Sequence, residues 1–578
     1  MAKLGILNEM FQNQLKKDFN KALKKLKIAD KDLEFEHPAN PEHGDYSTNI
    51  ALRLKKKDIP TPFDLANQIV NTFRGLGLPE YLAKIEVEGT GFINIWLKDE
   101  ALFEEVGKVL KAEEKYGSSD SGKGKTMVID YSSPNIAKPF GIGHLRSTII
   151  GQAVYNLYSF LGWRTIGDNH LGDWGTQFGK LIVAIKKWGG KKKLDSAQLE
   201  KLYVKFHREA VKNPELDEEA RAWFKKLEEG NREAKKIWKV CVDISMKDFE
   251  RIYNLLGVKI DYAYGESFYE DKMPAVIKDV KRKKVGVKSE GALVIKFSEL
   301  NIPPAIVLKS DGATTYETRD LACIVYRKKR WQPDLYIYEV GAEQKLHFQQ
   351  TFAAAVKLGY GKPEQFVHMA HGFVQVSSGK RMSTRAGESV RLEKVLEEAI
   401  KRARQIIKNS GTARNLAKKK QEEVAWAVGI GAIKYFDLRH HYTSDFVFDW
   451  EKMFQLEGNS APYLQYTYAR CQSILEKAED YSLPEKLPRL KSEEVSLLRT
   501  LYKFSEVIQE ASESYSPNLL CNFLFDLAQK YNLFYNQQPI LKADSEESKN
   551  FRLALTVAIG QVLKNGLGLL GIESPERM

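Results

Sequence analysis

The sequence predicts a multidomain α/β protein: a central domain built on a parallel sheet, a small α+β domain before it and an all-α helical bundle after it. Three observations carry this. Strand-like and helix-like runs alternate from Thr126 to about Arg439, the pattern of a sheet with helices on both faces. One stretch, Tyr131 to Thr148, leaves a strand and empties into a helix, and beyond about Asp449 helical periodicity runs to the end. At 578 residues the chain is too long for one core, and its 43% apolar content is ample for several. The expected units are 1–115, 116–448 with a helical, heavily charged insertion at about 187–258, and 449–578.

The first unit opens with an amphipathic helix from Leu7 to Leu26. A turn-rich passage, His37 to Asp45, follows, and the alternation from Ile85 to Leu97 reads as strands. Gly117 to Lys125 is polar and nearly matches a phosphate-binding P-loop. Gly124 stands where Ser or Thr should ligate magnesium, however, and the segment precedes a strand instead of following one, so it reads as a hinge. Gly566-Leu-Gly-Leu-Leu-Gly571 is a formal G-x-G-x-x-G with no strand before it and no room for a βαβ unit after it; it reads as a helix ending. Within the central unit, Leu293 to Phe297, Ile306 to Leu308 and Leu335 to Tyr338 are strand candidates for the parallel sheet. In the last unit Tyr531, Phe534 and Tyr535 share helical spacing, which is most often a core face.

The chemistry concentrates in the stretch from Tyr131 to Thr148. Met127, Val128 and Ile129 make the strand; Leu145, Ile149, Ala153, Leu157 and Leu161 recur at the spacing of one buried helix face. A loop delivered by a strand into a helix N-terminus offers unpaired N–H groups to an anion. Gly141 and Gly143 allow close backbone approach, and Lys138, His144 and Arg146 add donors suited to phosphate, so ATP is the expected ligand. A second cationic loop, Ser377 to Gly387, carries Lys380, Arg381, Met382 and Ser383.

Read together, P-F-G-I-G-H-L-R-S-T and K-R-M-S-T-R resemble the "HIGH" and "KMSKS" signatures of class I aminoacyl-tRNA synthetases, and S-S-P-N-I-A-K ahead of the first is similar to arginyl-tRNA synthetases. Gly141 replaces the first histidine of HIGH, and Arg381 and Arg385 replace the lysines of KMSKS. The resemblance implies a class I synthetase nucleotide-binding, Rossmann-like catalytic domain and an arginine–tRNA ligase. Such an enzyme activates L-arginine with ATP to arginyl-adenylate and transfers it to the terminal ribose of tRNA(Arg). It implies catalytic roles for Lys138, His144, Lys380 and Arg381, and ATP contacts at Gly141, Gly143, His144, Arg381, Met382 and Ser383. Ser133, Pro134, Asn135 and His144 would hold the amino acid's α-amino and carboxylate end. Tyr316, Asp320, Gln344 and Glu266 would hold the guanidinium, which a selective site should meet with a carboxylate and an aromatic face. Tyr316 and Asp320, at i, i+4 on a predicted helix, point the same way. P-E-H-G-D-Y-S-T-N marks the N-terminal unit as the family's tRNA-elbow domain, and Asn459, Tyr463, Tyr466 and Arg470 open its anticodon-binding bundle, where tyrosines and an arginine suit base stacking and phosphate contact.

Composition fits these expectations without deciding them. Lys+Arg outnumber Asp+Glu by 89 to 76, a net +13, which admits a polyanionic partner. Cys241, Cys323, Cys471 and Cys521 lie far apart without zinc-ligand spacing, so no protein-bound metal is expected, Mg²⁺ arriving with ATP. His368 and His371 lack an acidic partner at metal-site spacing and read as strand and loop. No apolar run reaches the ~18 residues of a membrane span and the N-terminus has no signal-peptide core, so a cytoplasmic monomer is expected.

Overall fold

The computed structural model describes residues 10–28, 33–54, 61–138, 140–190, 194–375, 391–409, 416–478 and 482–578. Its centre is a sheet of strands β1 (Thr126–Asp130), β2 (Arg164–Asp168), β3 (Leu335–Gly341) and β4 (Phe366–His371), in the order β4-β3-β1-β2, with every neighbouring pair parallel. All of β1 is buried, as a strand covered on both faces must be. The chain leaves β1 for one side and later returns as β3 on the other, so the order reverses between them. In open α/β sheets such a reversal opens a crevice at the carboxyl ends of the strands.

Helix α1 (Ile142–Phe160) follows β1, with Leu145, Ile149, Ala153 and Leu157 buried as their spacing predicted, and Leu161 buried at its cap. Between β2 and β3 come the helices Thr176–Trp188, Ser196–Lys212, Glu215–Glu228 and Arg232–Leu256, which form the helical insertion. Helices α2 (Tyr316–Trp331) and α3 (Lys345–Lys357) flank β3.

One strand expectation is corrected. Leu293–Phe297 and Ile306–Leu308 are extended, but they belong to a separate antiparallel sheet of Gly286–Ser289, Ala292–Phe297 and Ile302–Leu308. The links are too short for a parallel crossover, which needs a dozen or more residues. Glu290 and Gly291, at φ 49° and 80°, make the two-residue turn with positive φ that suits a hairpin.

The N-terminal unit packs helices Phe11–Lys25 and Pro62–Arg74 on a three-stranded antiparallel sheet. Its edge strand, Tyr46–Thr48, lies just after the passage read as turns. The segment 117–125 is turn-rich but tied down: Ser119 and Gly122 donate backbone N–H groups to the carbonyls of Phe160 and Leu161. A Cβ at Gly122 would stand 1.9 Å from the Trp163 ring, so only glycine fits beneath that indole. It is a strap across the end of α1, not a free hinge.

Helix α4 (Lys418–Leu438) leads into the C-terminal bundle, whose helices beyond Asp449 include Ala461–Leu475, Pro517–Gln537 and Glu546–Leu569. The glycine-rich string at 566–571 is a helix end, with Gly571 at φ 69°. One continuous core runs through the N-terminal unit, α1 and the bundle, and a second lies beneath α2, α3 and the antiparallel sheet. The four cysteines are buried and unpaired. Among the described residues no helix is long and apolar enough to cross a membrane.

Candidate active site

The crevice predicted by the strand order is a cavity of ≈ 560 Å³ lined by Asp130, Ser133, Asn135, Lys138, Glu266, Tyr316, Asp320 and Gln344 among others. These residues come from four separate stretches of sequence and converge at the carboxyl ends of β1 and β3. The loop after β1 is held in an unusual backbone, with Ser132, Ser133 and Ala137 at φ 74°, 43° and 60°. Non-glycine residues there cost free energy, and such strain persists where the surroundings over-determine it. Here the surroundings do: Ser133 Oγ donates to Asp130 Oδ1 at 2.9 Å, and its N–H donates to Asn169 Oδ1 at 2.9 Å. Pro134 is buried below the loop, where its carbonyl accepts the Gly172 N–H at 3.1 Å. Asn135 faces Gly172, where a Cβ would come within 2.3 Å of Asn135 Oδ1.

Gly141 caps α1, and its N–H donates to His144 Nδ1 at 3.2 Å. That bond makes Nδ1 an acceptor and leaves the ring proton of a neutral imidazole on Nε2. Burial, with Lys138 and His371 nearby, pushes His144 down to about 4, so it is a neutral donor, not a cation. Gly143 is exposed at the mouth of α1, with open space where a Cβ would be. The exposed side chain of Lys138 reaches the cavity from the same loop.

Tyr316 and Asp320 both line the cavity, one turn apart on α2. Tyr316 is 68% exposed and presents a ring at the cavity's mouth, over which the Arg319 guanidinium sits 5.6 Å from the centroid. Asp320 lies deeper. Burial opposes its ionisation, yet His347, His170 and Arg319 together hold its carboxyl below the usual range. Glu266 stands 3.7 Å from Arg319 Nη1, and burial raises it to about 7 against the pull of that guanidinium. The site thus already holds a guanidinium between acids, Arg319 also pairing with Glu270 at 2.7 Å.

The stretch His170 to Gln177 was not singled out from sequence, yet His170, Gly172, Trp174, Gly175, Thr176 and Gln177 all line the cavity. The signal was present: it is the glycine-rich connection leaving the carboxyl end of the next parallel strand. Lys380, Arg381, Met382 and Ser383 lie outside the described residues; the strand Val374–Gln375 leading to them pairs in parallel with Phe446–Val447.

In the bundle, Tyr466 and Tyr535 are each 40% exposed and flank Arg470, whose guanidinium lies 5.0 Å and 4.6 Å from their ring centroids. Tyr463 is half-buried, its ring edge-on to Phe525 at 5.7 Å, and Asn459 Oδ1 accepts from Tyr435 at 2.6 Å. Tyr531 and Phe534 are core, as their spacing suggested, whereas Tyr535 is not.

Three family descriptions match the chain: "Arginyl tRNA synthetase N terminal domain" over residues 13–97, "tRNA synthetases class I (R), catalytic domain" over 105–450, and "DALR anticodon binding domain" over 464–578. The chain is 42% identical over 554 residues to an arginine–tRNA ligase of Clostridioides difficile, covering 94% of this chain and 95% of that one. It is 41% identical over 564 residues to one of Halothermothrix orenii, covering 94% and 96%. Among solved structures, arginyl-tRNA synthetase from Plasmodium falciparum superposes with a TM-score of 0.84 at 26% identity over 99% of this chain and 100% of that one. That from Thermus thermophilus gives 0.84 at 25% over 98% and 100%. The motifs at 131–148, the strand order around the cavity and these likenesses agree, and the chain belongs to the arginyl-tRNA synthetases, class I aminoacyl-tRNA synthetases that ligate arginine to tRNA.

Proposed function

We propose that the cavity at the ends of β1 and β3 is where this arginine–tRNA ligase joins arginine to ATP, with the guanidinium at Asp320 and the reacting carboxylate at the loop after β1. The observation that carries the reading is the chemistry of the cavity's lining. The lining brings Asp320 and Glu266 from α2 and the turn at 266 together with Lys138, Ser133 and Asn135 from the loop after β1. A molecule with a cationic head and an anionic tail finds partners for both in this lining. Asp320 pairs with the guanidinium, Tyr316 offers it a face, Gln344 adds a polar contact, and Glu266 supplies a second acid. Ser133, Pro134 and Asn135 shape the wall for the α-amino and carboxylate groups.

Activation is attack of the arginine carboxylate oxygen on the α-phosphorus of ATP with loss of pyrophosphate; the terminal ribose hydroxyl of tRNA then attacks the carbonyl carbon and AMP leaves. No side chain forms a bond to the substrate. Positioning and donors aimed at the phosphate charge supply the rate. His144 donates Nε2–H as a neutral group, Lys138 acts as a mobile point charge, and Gly141 and Gly143 keep the approach to ATP open. Lys380, Arg381, Met382 and Ser383, outside the described residues, are assigned to the departing pyrophosphate from the resemblance alone. Mg²⁺ is taken to enter as its ATP complex. Tyr466, Arg470 and Tyr535 offer stacking faces and a cation to the anticodon, with Tyr463 and Asn459 supporting them. The reading takes the enzyme as a cytoplasmic monomer, with 1–115, 116–448 and 449–578 as its working units. Pyrophosphate exchange with ATP, run for each amino acid with bulk tRNA present, tests it: arginine alone should support exchange, and exchange with another amino acid, or with none, overturns it.

A further inference from the structure

His347, on the first turn of α3, lines the cavity beside Asp320. Its Nε2 stands 2.5 Å from Asp320 Oδ2, and its Nδ1 faces Glu317 Oε2 at 3.7 Å. Asp320 therefore has one oxygen hydrogen-bonded to imidazole, while the other, Oδ1, is 3.9 Å from His170 Nε2, and the residue lines the cavity. Glu317 is buried, its Oε2 accepting from Thr351 at 3.0 Å and its Oε1 without a hydrogen-bond partner.

We propose that His347 is a positioning residue that occupies Asp320 as a resident cation in the free pocket and releases its Nδ1 proton when the guanidinium of arginine arrives, keeping the Nε2–H on Asp320. This rests on Asp320 being the guanidinium partner. The geometry demands some adjustment of charge. Around Asp320 the pocket already holds Arg319 and two imidazoles, His347 on Oδ2 and His170 3.9 Å from Oδ1, against Glu266 and Glu317; a guanidinium arriving on Asp320 adds a positive charge in a cavity walled by protein, where like charges repel strongly. Of the two imidazoles only His347 is within hydrogen-bond distance of Asp320, and the difference between wild type and His347→Gln counts its proton apart from that of His170. The proton passes to solvent, so binding is arginine cation plus protonated enzyme giving complex plus H⁺.

The groups acting on His347 are Asp320 and Glu317 from α2 and His368 from β4, while Arg319, His170 and Glu266 act on the Asp320 carboxylate that it holds. Burial opposes the charge on His347, but Asp320 and Glu317 outweigh it and raise the imidazole above its usual value. A bound guanidinium lowers it again. Affinity for arginine should therefore rise as pH rises between the bound-state and free-state values of His347, by at most roughly tenfold per pH unit, and level off above the free-state value. Glu266 and Glu317, both raised to about 7 by burial, can contribute their own protons in the same window and must be separated from it.

The test is calorimetric titration of the full-length enzyme with L-arginine, with tRNA bound, near pH 7 in two buffers of different ionisation enthalpy. The wild type should release about one proton more than His347→Gln, whose amide can still donate to Asp320. The variant should bind arginine with a shallower pH dependence, and Glu266→Gln should keep the His347 share. Equal proton release by wild type and His347→Gln overturns the proposal. Should His347→Gln fail to fold, His347→Asn and the pH dependence of the wild-type arginine KM decide the same point, a KM flat from pH 6 to 8 counting against it. Asp320→Asn is run alongside: undiminished arginine binding there would remove the pocket reading itself, whereas lost binding with unequal proton counts as above sustains both.

Discussion

His37 Nε2 lies 2.9 Å from Oε2 of Glu506, across 469 residues of chain. Tyr46 OH donates to the other oxygen of the same carboxylate at 2.6 Å, and beside it Arg499 Nη1 meets both oxygens of Asp45 at 3.1 Å. The turn-rich passage of the N-terminal unit is thus seated on the helical bundle, with Tyr46 and Tyr502 rings 5.9 Å apart beneath it. Tyr116, just before the strap at 117–125, reinforces this by stacking on Phe504. The N-terminal unit and the helical bundle are braced against each other.

Glu506→Ala should loosen that brace. It leaves the buried Tyr46 hydroxyl and the His37 ring without their acceptor, at about 1–3 kcal/mol for each buried group left unpaired. The expected result is a lower melting temperature and faster proteolysis within the first unit, with arginine KM unchanged. A variant that melts like the wild type would show the contact to be dispensable. The same brace means that deleting residues 1–110 strips Phe11, His37 and Tyr46 from the buried Tyr502, so point variants are the cleaner probe of tRNA binding by this unit.

What was legible in the sequence was local. The spacing from Leu145 to Leu161 and the apolar run before Tyr131 announce a strand, a loop and a helix, and those sit at the switch point of the sheet. Tyr316 and Asp320 were readable as one helix face. What was not legible depends on long-range contacts. Leu293 to Phe297 has the composition of any strand, and only its two-residue link to Gly286–Ser289 makes it antiparallel. Tyr535 and Phe534 have neighbouring positions and similar chemistry, yet one is exposed and the other buried, because the packing of Pro517–Gln537 against its neighbours decides. His347 carries no motif of its own, and its meaning comes from Asp320 alone.

Asp320→Asn removes the charge proposed to pair with the guanidinium while keeping the shape. Loss of one partner of a buried charged pair costs about 2–5 kcal/mol, which should appear as a rise in arginine KM of tenfold or more. Discrimination against an uncharged isostere of arginine should fall together with affinity. Steady-state aminoacylation with both compounds measures it, and an unchanged KM would exclude Asp320 from the site.

His144 remains neutral down to about pH 4, so its ionisation should be absent from the pH–rate profile of adenylate formation above pH 5. The sign for stability follows from the same shift. Between 6.5 and 4 an unfolded histidine takes up a proton that the folded one refuses, so this group destabilises the fold as pH falls through that window. His144→Ala and Lys138→Ala should each lower single-turnover adenylate formation ~10²–10³-fold, the typical loss for one donor to developing charge. His144→Ala should also raise arginine KM. Near-native rates in both would make the loop after β1 a scaffold.

The bundle prediction separates stacking from charge. Tyr466 and Tyr535 offer ring faces that any base can use, and base–aromatic stacking is worth about 1–3 kcal/mol per base. Arg470 lies between them, its Nη1 bonded to Asn532 Oδ1, so its charge is held in place as well as its stacking plane. Tyr535→Ala should therefore weaken tRNA binding by that amount at every salt concentration, whereas Arg470→Ala should also lower the salt slope by about one if the guanidinium meets a phosphate. Adenylate formation at saturating tRNA should stay near the wild-type rate in both, since the cluster lies on a different domain from the cavity. Filter binding of tRNA from 50 to 300 mM salt gives both numbers. Affinity and slope that match the wild type in both variants would place the anticodon elsewhere on the bundle.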